Sequence, residues 1–188
     1  MSNLNFGIME KSKLIRASVY VGTYKKYNEG SLAGAWMELA DYKSKDEFME
    51  ACKELHSDEE EPEFMYQDYS NIPDGMINES YINPLIFGII QCAKDMDDTE
   101  TEAFFTFLDM YFVDYSYIKD GEELVEKFRD KYAGEFDSEE AFATYMAEMK
   151  WPEELQTEFG QYFDYEAYSR TLLTSGYRHQ GDFYFCVA

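Results

Sequence analysis

A chain of 188 residues with 39 acidic and 16 basic side chains carries a formal charge of −23 at pH 7. Such a charge repels nucleic acid and anionic membrane surfaces and favours basic partners. Apolar residues make up 45% of the chain and aromatics 18%, far more core-forming material than a disordered acidic tail holds.

Residues 1–13 show no period and are expected to form an arm. From Ile15 to Tyr24 the run IRASVYVGTY is β-branched, aromatic and partly alternating, which predicts a strand. KKYNEG is expected as a loop turning at Asn28 and Gly30, and GAWMELADY (34–42) as a second strand. Ser44 with Glu47 forms a capping box for a helix over Lys45 to His56, and Phe64 to Asp68 is a third strand beyond the acidic stretch DEEEPE. Asn83 followed by Pro84 opens a helix to about Asp95. Thr99 with Glu102 opens an aromatic helix to about Phe112, Asp120 with Glu123 opens ELVEKFRDKY, and Asp137 with Glu140 opens EEAFATYMAEM. YAGEF and DFYFCV are candidate strands, with a helix from Asp164 between them. The pattern is α+β, in three small parts: an N-terminal α+β domain with an antiparallel sheet (14–72), a central bundle of short helices (73–119) and a C-terminal α+β domain (120–188).

Several chemistries are argued against. LIFGII at 85–90 is too short to span a bilayer, and the N-terminus lacks the apolar stretch of a signal peptide, so a cytosolic protein is expected. Cys52, Cys92 and Cys186 are odd in number and show no C-x-x-C spacing, which suggests neither a disulfide framework nor a zinc cluster. A calcium loop starting at Asp95 would need Gly and Glu where Glu100 and Thr106 stand. Pro73-Asp74 with the E-M-K at 148–150 resembles nuclease fragments, but among 39 acids such fragments arise by chance. His56 falls at a helix end, where the dipole favours an imidazolium, and His179 in a turn. Walker, G-x-S-x-G and dinucleotide motifs are all missing. No enzyme, metal or cofactor is expected.

The charge is segregated. Residues 1–43 hold 4 acids and 6 bases, residues 160–188 hold 3 acids and 2 bases, and the segment between holds 32 acids and 8 bases. Duplex DNA carries one charge per about 1.7 Å of axis, so a net −24 at that spacing would imitate roughly 40 Å of duplex. Mimicry of DNA, binding of another basic nucleic-acid-binding protein as an acidic module or chaperone, and plain solubility all remain open on this ground.

Two stretches bear on that choice. VYVGTYKKYNEGSLAGAW (19–36) and LQTEFGQYFDYEAYSRTLLTSGY (155–177) resemble the N-terminal and C-terminal signatures of the ArdA antirestriction family, and the acidic, helical middle agrees with it. The N-terminal arm and the acidic insert around DEEEPE depart from the family pattern. The resemblance implies an elongated, three-part, non-enzymatic protein, dimeric through its C-terminal part. It would imitate bent DNA and occupy the DNA-binding groove of type I restriction-modification enzymes, on behalf of a mobile genetic element, without binding nucleic acid or membrane itself. The acids expected to stand in for phosphates are Asp58, Glu59, Glu60, Glu61, Glu63, Asp95, Asp97, Asp98, Glu100, Glu102, Asp109, Asp114, Glu122, Glu123, Glu126, Glu135, Asp137, Glu139, Glu140, Glu153 and Glu154.

The second stretch contains YFDYEAYSR (162–170). Asp164 is the expected N-cap of a helix, Glu166 lies in its first turn, and Glu166 with Arg170 is an i,i+4 ion pair. Tyr165, Tyr168 or Ser169, and Leu172 then share a face. With Tyr162 and Phe163 they form a near-neutral aromatic block, read either as packing within its own domain or as the place where two such acidic chains could meet.

Overall fold

β1 (Ser18–Thr23) is the centre of the first sheet, flanked by β2 (Ala35–Glu38) and β3 (Phe64–Ser70) in the order β2-β1-β3, both pairs antiparallel. The computed structural model describes residues 13–110 and 115–187. The arm expected over 1–13, apart from Lys13, and Asp114 lie outside the described residues. Alternation along β1 buries Val19 and Val21 while Tyr20 faces the other way, opposite Trp36 on β2 and Asp68 on β3. The strand begins later than the sequence predicts because Leu14–Arg16 forms a 3₁₀ turn.

The expected loop KKYNEG is instead a short helix, α1 (Tyr24–Asn28), capped by the Thr23 hydroxyl, which accepts the Lys26 N–H at 3.3 Å. Thr23 is both the last residue of β1 and the N-cap of α1, its side chain doing the capping. Gly30 leaves α1 at φ 81°. At Gly34 a Cβ would collide with the Val21 carbonyl oxygen and lie 2.9 Å from the Tyr20 ring. The GAW signature therefore begins with glycine because β1 passes directly against it, and the Tyr20 hydroxyl ties down the same loop by donating to Leu32 O at 2.9 Å.

α2 (Lys45–Leu55) starts at Ser44 as expected, its hydroxyl accepting the Glu47 N–H at 3.3 Å, while Glu47 accepts from Lys43 N–H at 2.8 Å. Its Phe48 is fully buried and packs on Tyr42, Tyr66 and Phe87 at 5.4, 6.2 and 5.6 Å. A two-residue hairpin, β4 (Ile77–Asn78) with β5 (Tyr81–Ile82), precedes α3 (Leu85–Ala93), whose apolar run is buried through Ile86, Phe87, Ile89 and Ile90. α4 (Asp98–Met110) is capped by Asp97, which accepts the Glu100 N–H at 2.7 Å, and not by the predicted Thr99. α5 (Gly121–Lys131) is capped by Asp120 as predicted.

The chain divides into two compact units, 1–126 and 127–188. In the second, β6 (Tyr132–Glu135), β7 (Tyr177–Gln180) and β8 (Phe183–Cys186) form an antiparallel sheet in the order β6-β8-β7. α6 (Glu139–Lys150) is capped by Ser138 rather than Asp137. After α7 (Glu153–Phe159) comes α8 (Tyr165–Ser175), where Asp164 accepts the Ala167 N–H at 2.8 Å, the predicted cap. Phe142, Ala143, Met146, Leu172 and Tyr184 form the core of this unit, with Phe142 stacked on Tyr184 at 4.5 Å. The fold class is α+β, as the sequence predicts.

Candidate functional site

Most of the acids singled out in the sequence face solvent. Asp58, Glu60, Glu61 and Glu63 are exposed in the α2 to β3 connection, Asp95, Asp97 and Asp98 around the start of α4, and Asp109 near its end. Glu122 and Glu126 are exposed on α5, Glu135 on β6, Asp137, Glu139 and Glu140 at the start of α6, and Glu153 and Glu154 at the start of α7. Glu100, Glu102 and Glu123 are half-buried, and the Glu59 side chain is almost wholly covered.

Some of these carboxylates also have structural work. Glu102 accepts from the Lys13 N–H at 2.8 Å, Glu123 from the Lys119 N–H at 2.9 Å, and Glu139 lies 3.5 Å from His179. Asp97 is a helix cap. Burial raises the Asp109 carboxyl above its ordinary value, opposed by a hydrogen bond with the Asp74 backbone and helped by the Asp74 charge, so its surroundings work against its ionisation.

The α2 to β3 connection holds an arrangement that sequence spacing did not suggest. Lys26, on α1, reaches His56 Nδ1 at 2.9 Å, Asp58 Oδ1 at 2.8 Å and Glu59 Oε1 at 3.5 Å. The Thr23 hydroxyl donates to Glu59 Oε1 at 2.6 Å, and His56 Nε2 lies 3.2 Å from Val21 O. A carbonyl oxygen can only accept and an ammonium can only donate, so Nε2 carries the proton and Nδ1 offers its lone pair. His56 is thus a neutral imidazole, 1% exposed, and not the imidazolium that its helix-end position suggests. The available clue was the string His-Ser-Asp-Glu at 56–59; what completes the cluster is Lys26, brought in by the pairing of β1 with β3.

The hydrogen bond from Lys26 holds the Asp58 carboxyl below its ordinary value, and Asp58 in turn raises Lys26. A depressed carboxylate stabilises the fold above its unfolded-state pKa and loses that contribution as pH falls through the folded value; a raised lysine loses its contribution as pH rises through its own. The contact therefore holds across the neutral range and opens at both extremes. A carboxyl-carbon NMR titration should place the Asp58 midpoint below the ~3.9 of a free aspartate and return it there in Lys26→Met.

Burial pushes the Cys52 thiol up to about 12, which leaves it protonated and a poor nucleophile at neutral pH. Among the described residues no helix is long and apolar enough to cross a membrane.

The C-terminal block resolves into two parts. Tyr165, Tyr168 and Leu172 turn towards α6 and the core of their own unit, and Phe163 packs edge-on against Trp151, Tyr165 and Tyr168 at 4.5, 5.1 and 5.5 Å. Arg170 pairs with Glu166 on the solvent side. Tyr162, in contrast, is 78% exposed, as are Phe159 at 51% and Met149 at 69%. Trp151, Leu155, Phe159, Tyr162 and Phe163 line an open apolar groove of about 280 Å³. The sequence singled out Tyr162 and Phe163 but missed Leu155 and Phe159, because α7 was not predicted.

No curated protein matches the chain. The sequence model of the antirestriction protein ArdA, however, matches residues 19–183, a span that takes in Gly34 and Trp36, the acidic segment and the last sheet up to the first residue of β8. The chain belongs to the ArdA antirestriction protein family.

Proposed function

We propose that this protein inhibits type I restriction-modification enzymes by occupying their DNA-binding groove, its acidic surface standing in for phosphates. The observation that carries this reading is the solvent exposure of most of the carboxylates from Asp58 to Glu154, so that among the described residues most of the acidic charge of the middle segment is presented outward and not consumed in packing. A groove built to neutralise a phosphate backbone attracts such a surface over a distance set by the Debye length, about 8 Å at physiological salt.

The plating of unmodified phage on a host with an active type I system tests the proposal. Expression of the protein should raise plating at least tenfold; unchanged plating would overturn it. Affinity recovery from that host should bring down the restriction subunits. If it brings down a different basic protein, the acidic-chaperone reading takes its place.

The same reading seats a second copy of the chain on the α7 groove. Two chains of −23 repel, so their contact belongs where charge is low; α7 itself carries Glu153, Glu154 and Glu158, whereas residues 160–188 hold 3 acids against 2 bases, so the contact centres on the Tyr162 end of the groove. Tyr162→Glu should weaken self-association at least tenfold in sedimentation equilibrium while leaving the fold intact, since Tyr162 is largely exposed. Tyr168 is a poor probe of the same idea, because its ring packs within its own unit.

A further inference from the structure

We propose that His56, Asp58 and Glu59 form a binding site for one divalent transition-metal ion of the zinc class, in which the Lys26 ammonium is the resident cation. The inference stands independently of the restriction reading.

The donor set comes first. One ring nitrogen of His56 and one oxygen each from Asp58 and Glu59 lie within 4.8 Å of one another, and Nδ1 is the nitrogen not engaged by Val21 O. Around zinc, bonds of roughly 2.0–2.2 Å bring tetrahedral ligands to about 3.4 Å apart, so the donors need to close in by up to about 1.4 Å. Asp58, whose side chain is 65% exposed, has the freedom to do so. An imidazole nitrogen with two carboxylates suits zinc, cobalt or nickel and is unsuited to magnesium or calcium, which take oxygen alone. Three protein ligands leave a fourth position for water.

The surroundings are already those of a ligand set. A metal-bound histidine usually donates its other ring N–H to a carbonyl or carboxylate, which fixes the tautomer and aims the free lone pair. His56 has this arrangement with Val21 O, in a ring almost wholly buried. Glu59, whose side chain is 6% exposed, is aimed by the Thr23 hydroxyl.

A cation already sits among these three donors. The Lys26 amine lies 2.9, 2.8 and 3.5 Å from the three donors. Its charge offsets the two carboxylates and its proton satisfies the imidazole. A metal ion must displace it, and the lysine, on a flexible stem with its side chain 16% exposed, leaves for solvent still protonated. The Nδ1 lone pair is already free of the backbone, since Nε2 donates to Val21 O.

Zinc chloride titrations followed by calorimetry and by NMR of the ring protons test this. The chain has two histidines, so each ring can be followed separately. In the wild-type protein, zinc should shift the His56 signals with a stoichiometry of one and leave those of His179 in place, and magnesium should shift neither. Lys26→Met, which keeps the stem and removes the competing charge, should bind zinc at least tenfold more tightly. Adding Asp58→Asn to it should cost at least tenfold. Unmoved His56 signals in the wild-type protein, or zinc bound at His179 and Glu139 in their place, would overturn the proposal. So would a folded Lys26→Met variant that binds no better. Should Lys26→Met lose its fold, Lys26→Gln serves for the comparison, and the wild-type titration decides by itself.

Discussion

Phe142→Ala is expected to destabilise the C-terminal unit by about 3–5 kcal/mol, the usual cost of emptying a fully buried phenylalanine site. The ring has no solvent exposure and touches Phe136, Tyr177 and Tyr184 at 5.3, 5.2 and 4.5 Å, so it joins α6 to β7 and β8 at once. At ~0.05–0.15 kcal/mol per residue, residues 127–188 hold only about 3–9 kcal/mol, and the loss is comparable to the whole. Amide hydrogen exchange resolved by peptide should show α6 and β8 losing protection together. A urea midpoint unchanged from wild type would show that the ring does not hold this core.

The largest functional effect is expected from collective removal of charge. Glu60, Glu61, Glu122, Glu126, Glu135 and Glu140 are all exposed. Each exposed pair with a basic partner is worth about 0.2–1 kcal/mol, so a single change to glutamine should cost roughly twofold in competition with DNA for a methyltransferase core. All six together should cost about 3 kcal/mol, or about 100-fold. The fold should survive, because none of the six is buried. A single substitution that abolished competition would point to a specific contact and count against a distributed surface.

Legibility followed the range of the interaction. Helices announced by a local side-chain cap were readable, as at Ser44, Asp120 and Asp164. Where two capping candidates stood close together the wrong one was chosen: Asp97 and Ser138 do the work assigned to Thr99 and Asp137. Elements without local signals were missed. β7, with the sequence YRHQ, has no apolar alternation and exists because it pairs with β8 from Tyr177 to Gln180. α7 begins after Pro152 without a side-chain cap. The acidic character of the candidate surface was plain in the sequence, whereas the Lys26 cluster was not, since its members meet only through the sheet. Helical spacing places Tyr165, Tyr168 and Leu172 on one face but does not say that this face is covered while Tyr162 is exposed.

The glycine pressed against β1 has a consequence for how such proteins diversify. Gly34 is held by backbone contact and Asp164 by a helix start, so these two residues of the stretches that resemble the family also keep the chain folded. The exposed glutamates answer to no such constraint and can come and go, one at a time, at little cost in stability. A lineage built this way can repaint its surface to follow a changing opponent while its ancestry stays legible.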